Sequence, residues 1–175
     1  LGDINGDGFN DFAIGGSRSI VYVVFGSGAG FSALLTPPVF TSAAGIGVTN
    51  RIPYAAGDVD GDGFDDMLVH ATNGVVGETY LIYGSPTIAN GIFSIATING
   101  ANGFRIRGPI SMGLEGPIGS AGDLNGDGYG DSLAGSGYVI LGRSRSELSS
   151  LLTEYDGKAN LLRVGDFLDG QTAFR

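Results

Sequence analysis

Residues 2–11 read GDINGDGFND, and the same ten-residue grammar returns as GDVDGDGFDD at 57–66 and GDLNGDGYGD at 122–131. Counted from the first aspartate, the repeats begin at Asp3, Asp58 and Asp123, at intervals of 55 and 65 residues. That period is too long for most helical solenoids. It suits propeller blades, whose repeats run to about 40–50 residues and tolerate longer loops.

Within each copy, positions 1, 3, 5 and 9 carry oxygen donors. They are Asp3, Asn5, Asp7 and Asp11 in the first, Asp58, Asp60, Asp62 and Asp66 in the second, and Asp123, Asn125, Asp127 and Asp131 in the third. A hard cation such as Ca²⁺ takes about six to eight oxygens, and alternating ligands with spacers supplies them from one short loop. Position 7, occupied by Phe9, Phe64 or Tyr129, would add its backbone carbonyl, with the ring packed into the core. Glycines at positions 4 and 6 supply the positive φ that closes such a loop, and the apolar position 2 (Ile4, Val59, Leu124) anchors it. The expectation is about three Ca²⁺ ions, one per loop. Asp, Asn and Gly also populate ordinary surface turns, but carboxylates held about 4 Å apart repel by about 1 kcal/mol in water and about 4 in a shielded site. A plain turn has no need of that cost. An EF-hand is excluded, because its bidentate carboxylate at position 12 would fall on Ile14, Val69 or Ala134.

Each motif is followed by two apolar segments separated by a polar or glycine-rich gap, the second ending at glycine: FAIGG…IVYVVFG, MLVHATNGVVGETYLIYG and SLAGSGYVILG. They are short and rich in Val, Ile, Tyr and Phe, which predicts β-hairpins. IVYVVF, TYLIY and GYVIL are apolar at nearly every position, as in strands covered on both faces. GFRIRG (103–108) and NLLRVG (160–165) read as further strands, and 145–155 as the one helix. The fold class is therefore all-β.

Composition narrows the function. Glycine makes up 33 of 175 residues, consistent with many tight turns, and the net charge of −9 with nine Lys and Arg argues against a nucleic-acid partner. There is no cysteine, hence no disulfide framework or thiolate site. No apolar run approaches the ~18 residues of a membrane span. The chain opens at Leu1 without methionine and reads as a processed chain or a piece of something longer. The nucleophile-elbow, phosphate-loop and zinc-helix motifs of common enzymes are missing. The single histidine, His70, reads as structural, Asp65 as solvated, and Arg105, Arg107, Arg143 and Arg145 as exposed faces of edge strands.

GDINGDGFNDFAIGG with VYVVFGS, and GDVDGDGFDDMLV with TYLIYGS, resemble the FG-GAP repeat, the blade of integrin-α-like β-propellers; NGANGFRIRG is similar to its bacterial, secreted branch. The resemblance implies a ring of about seven blades, with calcium in the hairpin loops, in a non-enzymatic extracellular or cell-surface module that binds protein or glycan in adhesion. The alternatives are an accessory domain of a secreted enzyme, or a self-assembling structural protein polymerising through blade edges. On this reading blade 1 is 1–56, blade 2 is 57–121 and a shortened blade 3 is 122–164. Residues 165–175 begin a degenerate further blade, in which Leu168 and Gly170 replace oxygen donors. Three blades do not close a ring. Further blades from the same parent chain, a partner chain or a homo-oligomer are expected.

Overall fold

The computed structural model describes residues 1–15, 21–29, 39–40, 53–72, 77–88, 95–107, 118–134, 138–149 and 161–163. The sequence signals at 150–155 and 164–175, including the degenerate fourth motif, lie outside them.

Among the described residues, eleven strands form three sheets. The first contains β1 (Phe12–Gly15), β2 (Val21–Val24) and β3 (Val39–Phe40) in that order. The second runs β4 (Tyr54–Gly57), β5 (Asp66–Thr72), β6 (Gly77–Ile82) and β7 (Gly103–Arg107), all antiparallel, with β11 (Leu161–Arg163) parallel to β7. The third is β8 (Ile118–Gly122), β9 (Asp131–Ala134) and β10 (Tyr138–Ile140). Helical structure among the described residues is confined to short pieces, chiefly a 3-10 turn at Ile95–Thr97 and the turn over 145–149. The fold is all-β, and the predicted hairpins are β1–β2, β5–β6 and β9–β10.

Two strands carry no clear signal in the sequence. YAAG (β4) and IGSAG (β8) precede their motifs and pair with the strands that follow them, so the acidic decapeptide is the turn of a hairpin. In all three copies the same pair closes the turn: Gly2 faces Asp11, Gly57 faces Asp66 and Gly122 faces Asp131. A register shift sits beside that glycine in the second and third copies. Each closing glycine has positive φ, between 71° and 85°, the conformation a bulge of this kind takes up at a glycine.

The continuous apolar runs are explained by packing on both faces. Cross-strand neighbours Leu68, Leu81 and Phe104 point one way and join Ile106 with Ile140 and Leu148 of the third repeat. Met67, Val69, Tyr80 and Ile82 point the other way, onto Ile4 and Val23 of the first. Burying such a side chain contributes on the order of 1.5–3 kcal/mol, so the sheets are held face to face by the strands that flank the acidic loops. His70 is a core residue, 2% exposed, with Nδ1 3.5 Å from Thr79 Oγ1 on the neighbouring strand. Ser132 on β9 is also buried, and its hydroxyl donates to the Ala56 carbonyl of β4.

β7 is not an edge strand, because β11 covers its outer side. Arg105 therefore does not lie on a free edge, and Arg143 and Arg145 follow β10, outside any strand. The arginines do not form the row of edge-strand side chains that the sequence suggested.

Candidate metal-binding loops

The three loops fold by the same local chemistry. The position-1 carboxylate gathers three backbone N–H groups: Gly6, Asp7 and Gly8 donate to Asp3 at 2.8–3.0 Å, and their counterparts donate to Asp58 and Asp123 at 2.7–3.1 Å. Successive N–H groups converge on one oxygen pair only if the glycines adopt positive φ. Gly6, Gly61 and Gly126 do so at 72–76°, and Gly8, Gly63 and Gly128 at 88–91°. Position 3 accepts from the N–H of position 5, and position 5 from that of position 7, in every loop.

Position 9 has a second task. Both oxygens of Asp11 accept backbone N–H groups, from Ile4 at 3.0 Å and Gly26 at 2.8 Å. Asp66 accepts from Val59 and Gly84, and Asp131 from Leu124 and Gly142, at 2.7–2.8 Å. These three aspartates are buried. Each ties its loop to the glycine that ends the second apolar segment, which gives the FG, YG and LG endings their structural meaning.

Neighbouring repeats lace onto the loops. The Asp65 N–H donates to the Asp3 carbonyl at 3.1 Å, and Gly130 N–H to that of Asp58 at 2.6 Å. Ser85 and Arg143 likewise donate to the position-2 carbonyls of Ile4 and Val59. Asp65 is not solvated: its Oδ2 accepts the Asp3 N–H at 2.9 Å, so it belongs to the first loop as much as to its own. The position-7 rings depart from expectation as well. Phe64 lies over Gly6 and Tyr129 over Gly61, where a Cβ would fall 2.5 Å from the Tyr129 ring. Phe9 packs on Gly26 and Gly28 of its own repeat and is 45% exposed. Phe64 and Tyr129 seal the preceding loop, and none of the three rings enters the sheet core. Ile4 and Val59 are fully buried as anchors, but Leu124 is 59% exposed.

The second loop brings its acids closest together. One oxygen from each of Asp58, Asp60 and Asp66 lies within 4.8 Å of the others, a spacing one cation spans. Burial pushes the Asp66 carboxyl up to about 8, against the pull of the Gly84 and Val59 N–H groups, and the charges of Asp60 and Asp58 add to the rise. Burial also raises Asp11 and Asp60 above the ordinary carboxylate range. A divalent cation among these groups would act in the opposite sense. The donors are all oxygens and mostly carboxylates, a set that fits a hard divalent ion and not a thiophilic one. The residues spaced to hold it are Asp58, Asp60 and Asp66.

Residues 3–69, which span the first loop, β1 and β2, and the second loop up to the start of β5, match the family model of the FG-GAP-like repeat. This is an FG-GAP repeat protein. Its sheets are β-propeller blades, as the family's repeats are. It is 30% identical over 155 residues to integrin alpha-PS2 of Drosophila melanogaster, an alignment covering 78% of this chain. The FG-GAP chain spans 10% of the length of that curated relative. No solved structure gives a significant match. Among the described residues, no helix is long and apolar enough to cross a membrane.

Proposed function

We propose that the chain is a calcium-stapled segment of an extracellular β-propeller, a non-enzymatic module for adhesion or for binding protein or glycan. One observation carries the reading: three loops, 55 and 65 residues apart, close on their own N–H groups in the same way and carry oxygen donors at the same four positions. Similarity to an integrin alpha chain supports a surface setting. Calcium is favoured by the all-oxygen donors and by the loop glycines, which let the backbone curl around a large ion. Its part is structural, neutralising the carboxylates between stacked sheets.

The test is thermal. Extracellular modules hold Ca²⁺ with Kd of about 10⁻⁴–10⁻³ M, and a site at tenfold that concentration stabilises by about 1.4 kcal/mol. Three sites then raise the melting temperature by on the order of 10 °C. Melting in EDTA, and again after calcium is restored, should show that shift reversibly. Identical melts under both conditions would sink the reading.

A further inference from the structure

The second loop differs from the other two in one ligand, and the third repeat compensates for it. In the first and third loops position 3 is asparagine, whose Nδ2 donates to the position-5 carboxylate: Asn5 to Asp7 at 3.0 Å and Asn125 to Asp127 at 2.8 Å. In the second, position 3 is Asp60, which has no N–H to give. Its Oδ2 and that of Asp62 would be left as two anionic oxygens side by side. Arg145 stands between them instead, Nε donating to Asp60 Oδ2 at 2.6 Å and Nη2 to Asp62 Oδ2 at 2.7 Å. The Asp60 side chain is fully buried in this contact.

Arg145 is placed there by features that do not involve the loop. Its guanidinium lies 4.5 Å from the centre of the Tyr83 ring, a cation–π contact. It opens the helical turn whose cap is Ser144, with Glu147 accepting from the Ser144 N–H and Oγ in a capping box. Leu148, one turn on, is buried in the core shared by the second and third repeats. The planar fork is therefore held over the loop before any ion arrives, and a fork suits two carboxylates where an ammonium does not.

We propose that Arg145 is the built-in counter-ion of the second loop, a positioning residue that does for Asp60 and Asp62 what the asparagine amide does in the sister loops. At positions 1, 3, 5 and 9 the second loop carries four carboxylates where the others carry three. With one guanidinium added, the four donor positions carry the same formal net charge in all three loops. A residue of the third repeat thus sets the electrostatics of the second repeat's site.

The test is a double-mutant cycle on the whole chain, read by thermal melting in EDTA. R145Q should lower the melting temperature by about 2–4 °C. D60N/R145Q should melt within about 1 °C of D60N, because that pair rebuilds the arrangement of the other loops. Should R145Q not fold, recovery of a cooperative melt in D60N/R145Q demonstrates the same coupling, and failure to recover one overturns it. R145K, which keeps the charge and loses the fork, should fall between wild type and R145Q. Additive effects of D60N and R145Q would overturn the proposal. Its calcium arm rests on the function proposed above: millimolar calcium should narrow the gap between R145Q and wild type. Coupling in EDTA with no response to calcium in any variant would support the counter-ion role and defeat the calcium reading.

Discussion

Single aspartates here do two jobs, and position decides which. The position-1 residues Asp3, Asp58 and Asp123 collect N–H groups that shape the loop, while Asp11, Asp66 and Asp131 are buried staples between the loop and the next strand's end. Asp66 makes the sharper prediction. Its carboxyl stands at about 8 in the fold and near 3.8 when unfolded, so without metal the folded state prefers the proton. That contribution is complete below pH 4 and is lost as pH climbs through about 8. Asp11 is shifted in the same direction. In EDTA, the melting temperature should therefore fall between pH 5.5 and 8.5, and the rise produced by calcium should be larger at pH 8.5. Calcium shifts equal at both pH values would contradict a buried carboxylate as ligand.

At the scale of loops and strands, the sequence is legible where the chemistry is local. The Asp and Gly spacing within ten residues determines loop shape, because positive φ and N–H capture involve only near neighbours. The unbroken apolar runs correctly imply strands covered on both faces. What is not legible depends on distant contacts. β4 and β8 are YAAG and IGSAG, small and glycine-bearing, with almost no β-branched signal; they are strands because β5 and β9 pair with them. Asp65 reads as a solvent-facing acid, and only the approach of the first loop gives it the Asp3 N–H. Arg145 lies 85 residues from Asp60 and carries no motif of its own. The absence of a donor at Asp60, against Asn5 and Asn125, is the one local hint that a cation from elsewhere is needed.

Across the molecule, the first and second loops are each clasped by the repeat that follows. Ile4 and Val59 are buried under such a clasp, whereas Leu124 is 59% exposed, and no backbone N–H of the described residues donates to the carbonyls of Asp123 or Leu124. The first repeat holds the complementary half, since Phe9 is 45% exposed and covers no loop of another repeat among the described residues. Among the described residues, Leu124 and Phe9 are thus unmatched counterparts of an interface made twice inside the chain, and we propose that another repeat of this kind would fit them. A contact of that head-to-tail type joins copies into rings or filaments. Sedimentation of the isolated chain should show association that grows with concentration and that L124D weakens without lowering the melting temperature. A concentration-independent monomer would rule this out.

If the three acidic loops each hold a doubly charged ion, the ion itself is observable. Crystals grown in millimolar calcium test it most directly, through anomalous scattering at the loops. A peak ringed by oxygens about 2.3–2.6 Å away should stand beside each of Asp3, Asp58 and Asp123. Water alone at all three positions, with the carboxylates turned outward, would contradict it.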